Sequence, residues 1–162
     1  MIVILMGPAG AGKTTVGQAL AEALGWTFVD ADALHPASNV EKIRAGTPLT
    51  DADRDPWLTR VRETIVDFAA RGVDAVLACS ALRARYRVRL GEGIPQLRWV
   101  SLAADRELLS ARLRARHGHF AGPEIVNSQL QELEQPSDAL ILDATLPVPT
   151  LVQHIRNAFG LA

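Results

Sequence analysis

A chain of 162 residues, 48% hydrophobic and 22% charged, suffices for one domain that buries roughly 70% of its unfolded surface. Seventeen Lys and Arg stand against 18 Asp and Glu, and this formal net charge of -1 excludes the basic excess with which proteins hold nucleic acid or anionic lipid. The single cysteine, Cys79, excludes an intrachain disulfide and a thiolate zinc site, and points to a cytoplasmic protein.

The first predicted element is a strand, Ile2 to Met6, too short for the roughly 18 residues of a membrane span and without the basic flank or cleavage site of an export signal. Gly7-Pro8-Ala9-Gly10-Ala11-Gly12-Lys13-Thr14 follows, a full match to the P-loop pattern between a strand and a helix. Glycines let backbone amides converge on phosphate oxygens, and the helix start adds its free N–H groups. Lys13 then reaches the β and γ phosphates while Thr14 offers a hydroxyl to Mg²⁺. Fifteen of the 17 basic residues are Arg, so this lysine carries more weight than any single arginine. The helix runs from Thr14 to Leu24, with Val16, Leu20 and Leu24 on one face.

The second strand, Thr27 to Val29, ends in Asp30-Ala31-Asp32, two carboxylates expected to point the same way by strand alternation. One serves the metal and the other an acceptor. Thr50 with Asp53 reads as a capping box opening a helix through Leu58, Val61, Ile65 and Phe68, which makes Asp53 a cap rather than a catalyst. Arg54 escapes that explanation and offers a fork for a substrate carboxylate, so a neutral acceptor is expected to leave it unmatched. The third strand, Val73 to Cys79, leads to Ser80 rather than the Asp many P-loop proteins carry there, so Asp30 or Ser80 is expected to support the metal. Cys79 reads as a small buried hydrophobe.

A fourth strand, Leu97 to Leu102, precedes a helix marked by Leu109 and Leu113. Arg112 and Arg116, four apart, share a face that turns towards an anion, and His117-Gly118-His119-Phe120 with Gly122 makes residues 112–126 a candidate lid. The fifth strand, Ala139 to Leu142, ends in a stretch, Asp143 to Pro147, expected to edge an adenine pocket. A last helix from Pro149 packs through Leu151, Ile155 and Phe159. Strands apolar on both faces alternating with helices predict an α/β fold: a five-stranded parallel sheet, helices on both sides, ligands at the carboxyl ends of the strands. No repeat and no linker composition divides the chain, so 1–162 reads as one P-loop domain.

Beyond the P-loop, the chain carries Asp30-Ala31-Asp32-Ala33-Leu34-His35-Pro36, Asn39-Val40-Glu41-Lys42-Ile43, Gly46-Thr47-Pro48-Leu49 and Asp51-Ala52-Asp53-Arg54-Asp55-Pro56-Trp57-Leu58. Cys79-Ser80-Ala81-Leu82, Arg116-His117-Gly118-His119-Phe120 and Gln129-Leu130-Gln131-Glu132-Leu133-Glu134-Gln135-Pro136 complete the set. With these blocks the sequence resembles the gluconate kinase family of small P-loop kinases along nearly its whole length. The resemblance implies a three-layer fold of nucleoside-monophosphate-kinase type, ATP and Mg²⁺ as cofactors, D-gluconate as acceptor and a homodimer. On that basis Gly7, Pro8, Ala9, Gly10, Ala11, Gly12, Lys13, Thr14, Thr15 and Arg112 hold the nucleotide, with Thr14 and Asp30 at the metal. Lys13, Asp32 and Arg116 are the expected catalytic residues, and Asp32, His35, Arg54, Ser80 and Gln129 the expected acceptor contacts. A shikimate-kinase-like pocket is the nearest enzyme alternative. A guanine-nucleotide switch is disfavoured, because neither Lys13 nor Lys42 follows an Asn as its guanine-reading motif requires.

Overall fold

In the computed structural model, which describes residues 1–116 and 122–162, five strands form one parallel sheet. They are β1 (Ile2–Met6), β2 (Thr27–Asp30), β3 (Ala75–Ala78), β4 (Leu97–Ala103) and β5 (Leu140–Asp143), in the spatial order β2-β3-β1-β4-β5. β1 is central, hydrogen-bonded to β3 on one side and β4 on the other. All five of its residues are buried: Val3 and Leu5 enter one core, and Ile2, Ile4 and Met6 the other. Period-two alternation between two covered faces is why this strand reads as an unbroken apolar run.

The first face is covered by α1 (Lys13–Leu24), α5 (Arg106–Ala115) and α7 (Val148–Phe159), through Val16 and Leu20, Leu109 and Leu113, and Leu151 and Ile155. The second is covered by α3 (Asp51–Arg71) and α4 (Ala84–Gly91), which bring Trp57, Val61, Ile65, Tyr86 and Leu90. β2 and β3 lie on one side of β1 and β4 and β5 on the other, so the strand order switches direction and a crevice opens at the carboxyl end of β1. Among the described residues no helix is long and apolar enough to cross a membrane.

The expected capping box is present: Thr50 Oγ1 accepts from the Asp53 amide at 3.1 Å, and Asp53 Oδ2 accepts from the Thr50 amide at 2.9 Å. Lys42 adds a contact invisible in the local pattern, donating at 2.8 Å to both Asp53 oxygens. That ammonium, ahead of the Thr50 amide, holds the Asp53 carboxyl down at about 2. The strand predicted from Val73 begins only at Ala75, because Gly72 closes α3 in the left-handed region and the Val73 amide still bonds the Phe68 carbonyl. Sequence patterning also passed over α2 (Ala37–Arg44), α4 and α6 (Val126–Glu132), helices of only 8, 8 and 7 residues. Helices this short owe their existence to tertiary contacts rather than to periodicity.

Candidate active site

The P-loop leaves β1 and turns sharply into α1. Gly10 and Gly12 have φ of 86° and 96°, and a Cβ on Gly10 would lie 2.9 Å from the Leu109 carbonyl oxygen, so glycine is required there by both backbone and space. Three distant elements brace the loop. The Gly7 amide bonds the Ser80 carbonyl at 3.3 Å, and the Ala9 amide bonds Gln129 Oε1 at 2.6 Å. Arg112 donates to the carbonyls of Gly10, Ala11 and Ala144 at 3.3, 3.2 and 2.6 Å.

Lys13 is buried at the start of α1, with Nζ donating to the Pro8 carbonyl at 3.0 Å. Burial lowers its pKa, opposed by the carboxylates of Asp32 and Asp30. Burial likewise raises Asp32, opposed by Lys13. Two desolvated groups whose pKa values approach one another mark a place for proton transfer and charge stabilisation.

The expectation that strand alternation aligns Asp30 and Asp32 is corrected by the backbone. β2 stops at Asp30, and Ala31–Leu34 form a 3-10 turn that Asp30 caps, Oδ1 accepting from the Asp32 amide at 3.0 Å. It is the turn, not the strand, that puts Asp32 on the cleft wall. Asp30 Oδ2 accepts the Thr14 hydroxyl proton at 2.8 Å. This pair suits Mg²⁺, which takes hard oxygen ligands and few of them from protein, because a hydroxyl that donates to a carboxylate keeps its lone pairs for a metal.

Lys13, Thr14 and Asp32 line an open cleft together with His35, Arg54, Ser80, Arg116 and Gln129. A second cavity lies behind the P-loop, between Thr15, Arg112, Arg116, Ala144 and Leu146. The expected acceptor contacts are thus brought together, and the stretch after β5 edges the second cavity. Gly7 and Pro8 line neither, serving instead as brace and Lys13 acceptor. Arg116 reaches both cavities, yet not by sharing a helix face with Arg112: α5 ends at Ala115, and Arg116 is an extended cap. His117, Gly118, His119 and Phe120 lie outside the described residues. Cys79 is fully buried and its thiol is pushed up to about 12, chiefly by burial, in line with a packing role.

His35 stacks on Trp57 with ring centroids 4.4 Å apart, and Trp57 donates to the Ala31 carbonyl at 2.8 Å, tying α3 to the turn that carries Asp32. Burial, with the Arg54 charge adding to it, holds the His35 imidazole at about 4 instead of 6.5. The unfolded chain therefore binds a proton near pH 6.5 that the folded chain refuses until about 4, so stability is lost as pH falls through this window. At about 1.4 kcal/mol per pH unit the loss approaches about 3 kcal/mol. The melting temperature of His35→Gln should vary less than that of the wild type between pH 6.5 and 4; parallel curves would assign the sensitivity to another group.

Arg54 departs from expectation in one respect. Its NH2 lies 2.7 Å from Glu132 Oε2 and its NH1 donates to the Tyr86 hydroxyl at 3.1 Å, so the guanidinium already has partners within the protein. Glu132 and Tyr86 had not been singled out from the sequence. Glu132 follows Gln129 by three residues, a spacing that would have placed both on one face had α6 been recognised. Buried Arg87 was also missed: it donates to the carbonyls of Ala81, Leu82 and Glu134 at 2.9, 3.0 and 2.9 Å, holding the wall where Ala81 adopts a φ of 42°.

Known proteins resemble this chain over most of its length. A family profile described as an AAA domain matches residues 2–146. A probable gluconokinase of Xenopus tropicalis is 43% identical over 97% of this chain and 92% of that protein. A gluconokinase of Gluconobacter oxydans (strain 621H) is 45% identical over 84% of this chain and 76% of that protein. The crystal structure of a gluconokinase from Sinorhizobium meliloti 1021 superposes with a TM-score of 0.83 at 38% identity, covering 98% of this chain and 94% of that one. With its P-loop at the switch point of a parallel sheet and likeness along nearly its full length, the chain belongs to the gluconokinase family of P-loop kinases.

Proposed function

We propose that the protein transfers the γ-phosphoryl group of ATP to the 6-hydroxyl of D-gluconate, supplying 6-phospho-D-gluconate to sugar-acid catabolism. The observation that carries this reading is a single cleft lined at one end by Gly12, Lys13 and Thr14 and elsewhere by Arg54, His35 and Asp32. Phosphate-binding and carboxylate-binding groups thus face one space, as transfer to an acidic polyol requires.

The P-loop amides, Lys13 and Thr15 hold the triphosphate, and Arg112 fixes the loop against the second cavity, which takes the adenine. Thr14, oriented by Asp30, would hold Mg²⁺, which when bound would supply positive charge to offset that of the triphosphate. Asp32 accepts or orients the acceptor hydroxyl proton, and Arg116 meets the charge that develops on the transferred group. Arg54 pairs the acceptor carboxylate, while His35, Ser80 and Gln129 meet its hydroxyls. Residues 112–126, carrying Arg116 and Ile125 on the cleft wall, form the lid. The family resemblance supports a cytoplasmic homodimer.

An ADP-release assay with D-gluconate, shikimate and D-glucose tests the reading. Because Glu132 keeps Arg54 paired, glucose forfeits only a charged hydrogen bond rather than orphaning a buried ion. Such a bond is worth about 1.5–3 kcal/mol, so kcat/KM should favour gluconate over glucose by roughly tenfold to a hundredfold. Arg54→Ala should raise the gluconate KM and leave that of ATP unchanged. Equal rates on glucose and gluconate would reject carboxylate recognition, and preference for shikimate would reassign the acceptor.

A further inference from the structure

The acceptor end of the cleft already holds an anion. Glu132, with a side chain only 14% exposed, places Oε2 at 2.7 Å from Arg54 NH2 and 3.9 Å from Arg83 Nε. Among the described residues, neither Glu132 Oε2 nor Arg83 Nε has a hydrogen-bond partner, although both atoms are buried. The contacts are thus charge proximity without directed bonds, which is the weaker way to hold a carboxylate. A further pair lies alongside: Asp51 accepts from Tyr86 and from Arg85, while the Tyr86 hydroxyl also accepts from Arg54. Glu132 lines the cleft itself, as does Arg54.

We propose that Glu132 is a specificity-determining residue of the acceptor site, occupying Arg54 while no acceptor is bound and competing with the carboxylate of an incoming sugar acid. The proposal rests on the reading of Arg54 given above. An acceptor carboxylate reaching Arg54 enters the field of Glu132, and like charges at close range in a partly desolvated site oppose one another. Glu132 thereby lowers affinity for acidic acceptors and, by keeping Arg54 neutralised, moderates discrimination against neutral ones. Its poorly aligned contact lets it yield to a ligand that brings two parallel bonds.

The test is Glu132→Gln, which keeps shape and removes charge. Its gluconate KM should fall by roughly fivefold to tenfold, an ordinary effect for a close charge pair, with the ATP KM unchanged and the glucose KM not improved. A second readout is independent of turnover. With no internal counter-ion, the variant should gain more thermal stability from added gluconate than the wild type does, and no more from added glucose. If Glu132→Gln does not fold, Glu132→Ala is judged by the same two measurements. An unchanged or raised gluconate KM would overturn the proposal, and a rise for gluconate and glucose alike would make Glu132 a hydroxyl acceptor. Arg54→Ala separates the layers: if it leaves gluconate kinetics untouched, the reading of Arg54 fails. If it raises the gluconate KM while Glu132→Gln changes nothing, only the inference about Glu132 falls.

Discussion

Lys13→Ala will lower turnover by about a thousandfold or more while the protein stays folded. The Lys13 ammonium is buried, and its one hydrogen bond is to the carbonyl of Pro8 in the same loop. It therefore contributes little to the core, and desolvation already disfavours its charge. What is lost is positive charge aimed at the phosphates, and a preorganised electrostatic contact of this kind typically carries two to three decades or more of rate. The substitution acts twice, because Lys13 also holds the Asp32 pKa down against burial. The residual activity should thus show an acid limb displaced to higher pH. The checks are steady-state kinetics across pH and a thermal melt; a folded variant with near-normal turnover would sink the assignment of the P-loop lysine.

Asp32→Asn should retain nucleotide binding and lower turnover by about a hundredfold or more, the scale of a positioned acid or base. Burial raises the Asp32 pKa, so the carboxylate exists only above a pH higher than that of an ordinary aspartate. Activity of the wild type should accordingly fall on the acid side above the usual carboxylate range, and Asp32→Asn should lose that limb. Calorimetric titration with ATP separates binding from chemistry. Full activity together with unchanged ATP affinity would move the role to another residue, and a retained acid limb would assign that titration elsewhere.

Local signals read well where a short stretch carries its own physical reason. The P-loop is one, since eight consecutive residues between a strand and a helix hold both the geometry and the charge. The capping box at Thr50 and Asp53 is another, because both partners lie within four residues. Every strand was found, with boundaries off by no more than two residues, and the runs of β1 and β3, buried throughout, stand out most plainly because they are apolar on both faces. Asp32 lines the same cleft as Lys13, but not by strand alternation: it reaches the wall through a 3-10 turn that Trp57 ties to α3.

By itself, then, the sequence determined the parallel α/β sheet, the phosphate-binding loop at its central strand and the family resemblance, all of which rest on neighbours along the chain. Only the tertiary structure decided that Glu132 stands on Arg54, 78 positions away, that Arg87 anchors the wall beside Ser80, and that Gln129 braces Ala9 across 120 residues. One partner of each contact sits on a short polar helix, α4 or α6, that has no periodic signature. Each becomes stable only when packed, so partners brought together by packing leave no trace in local spacing.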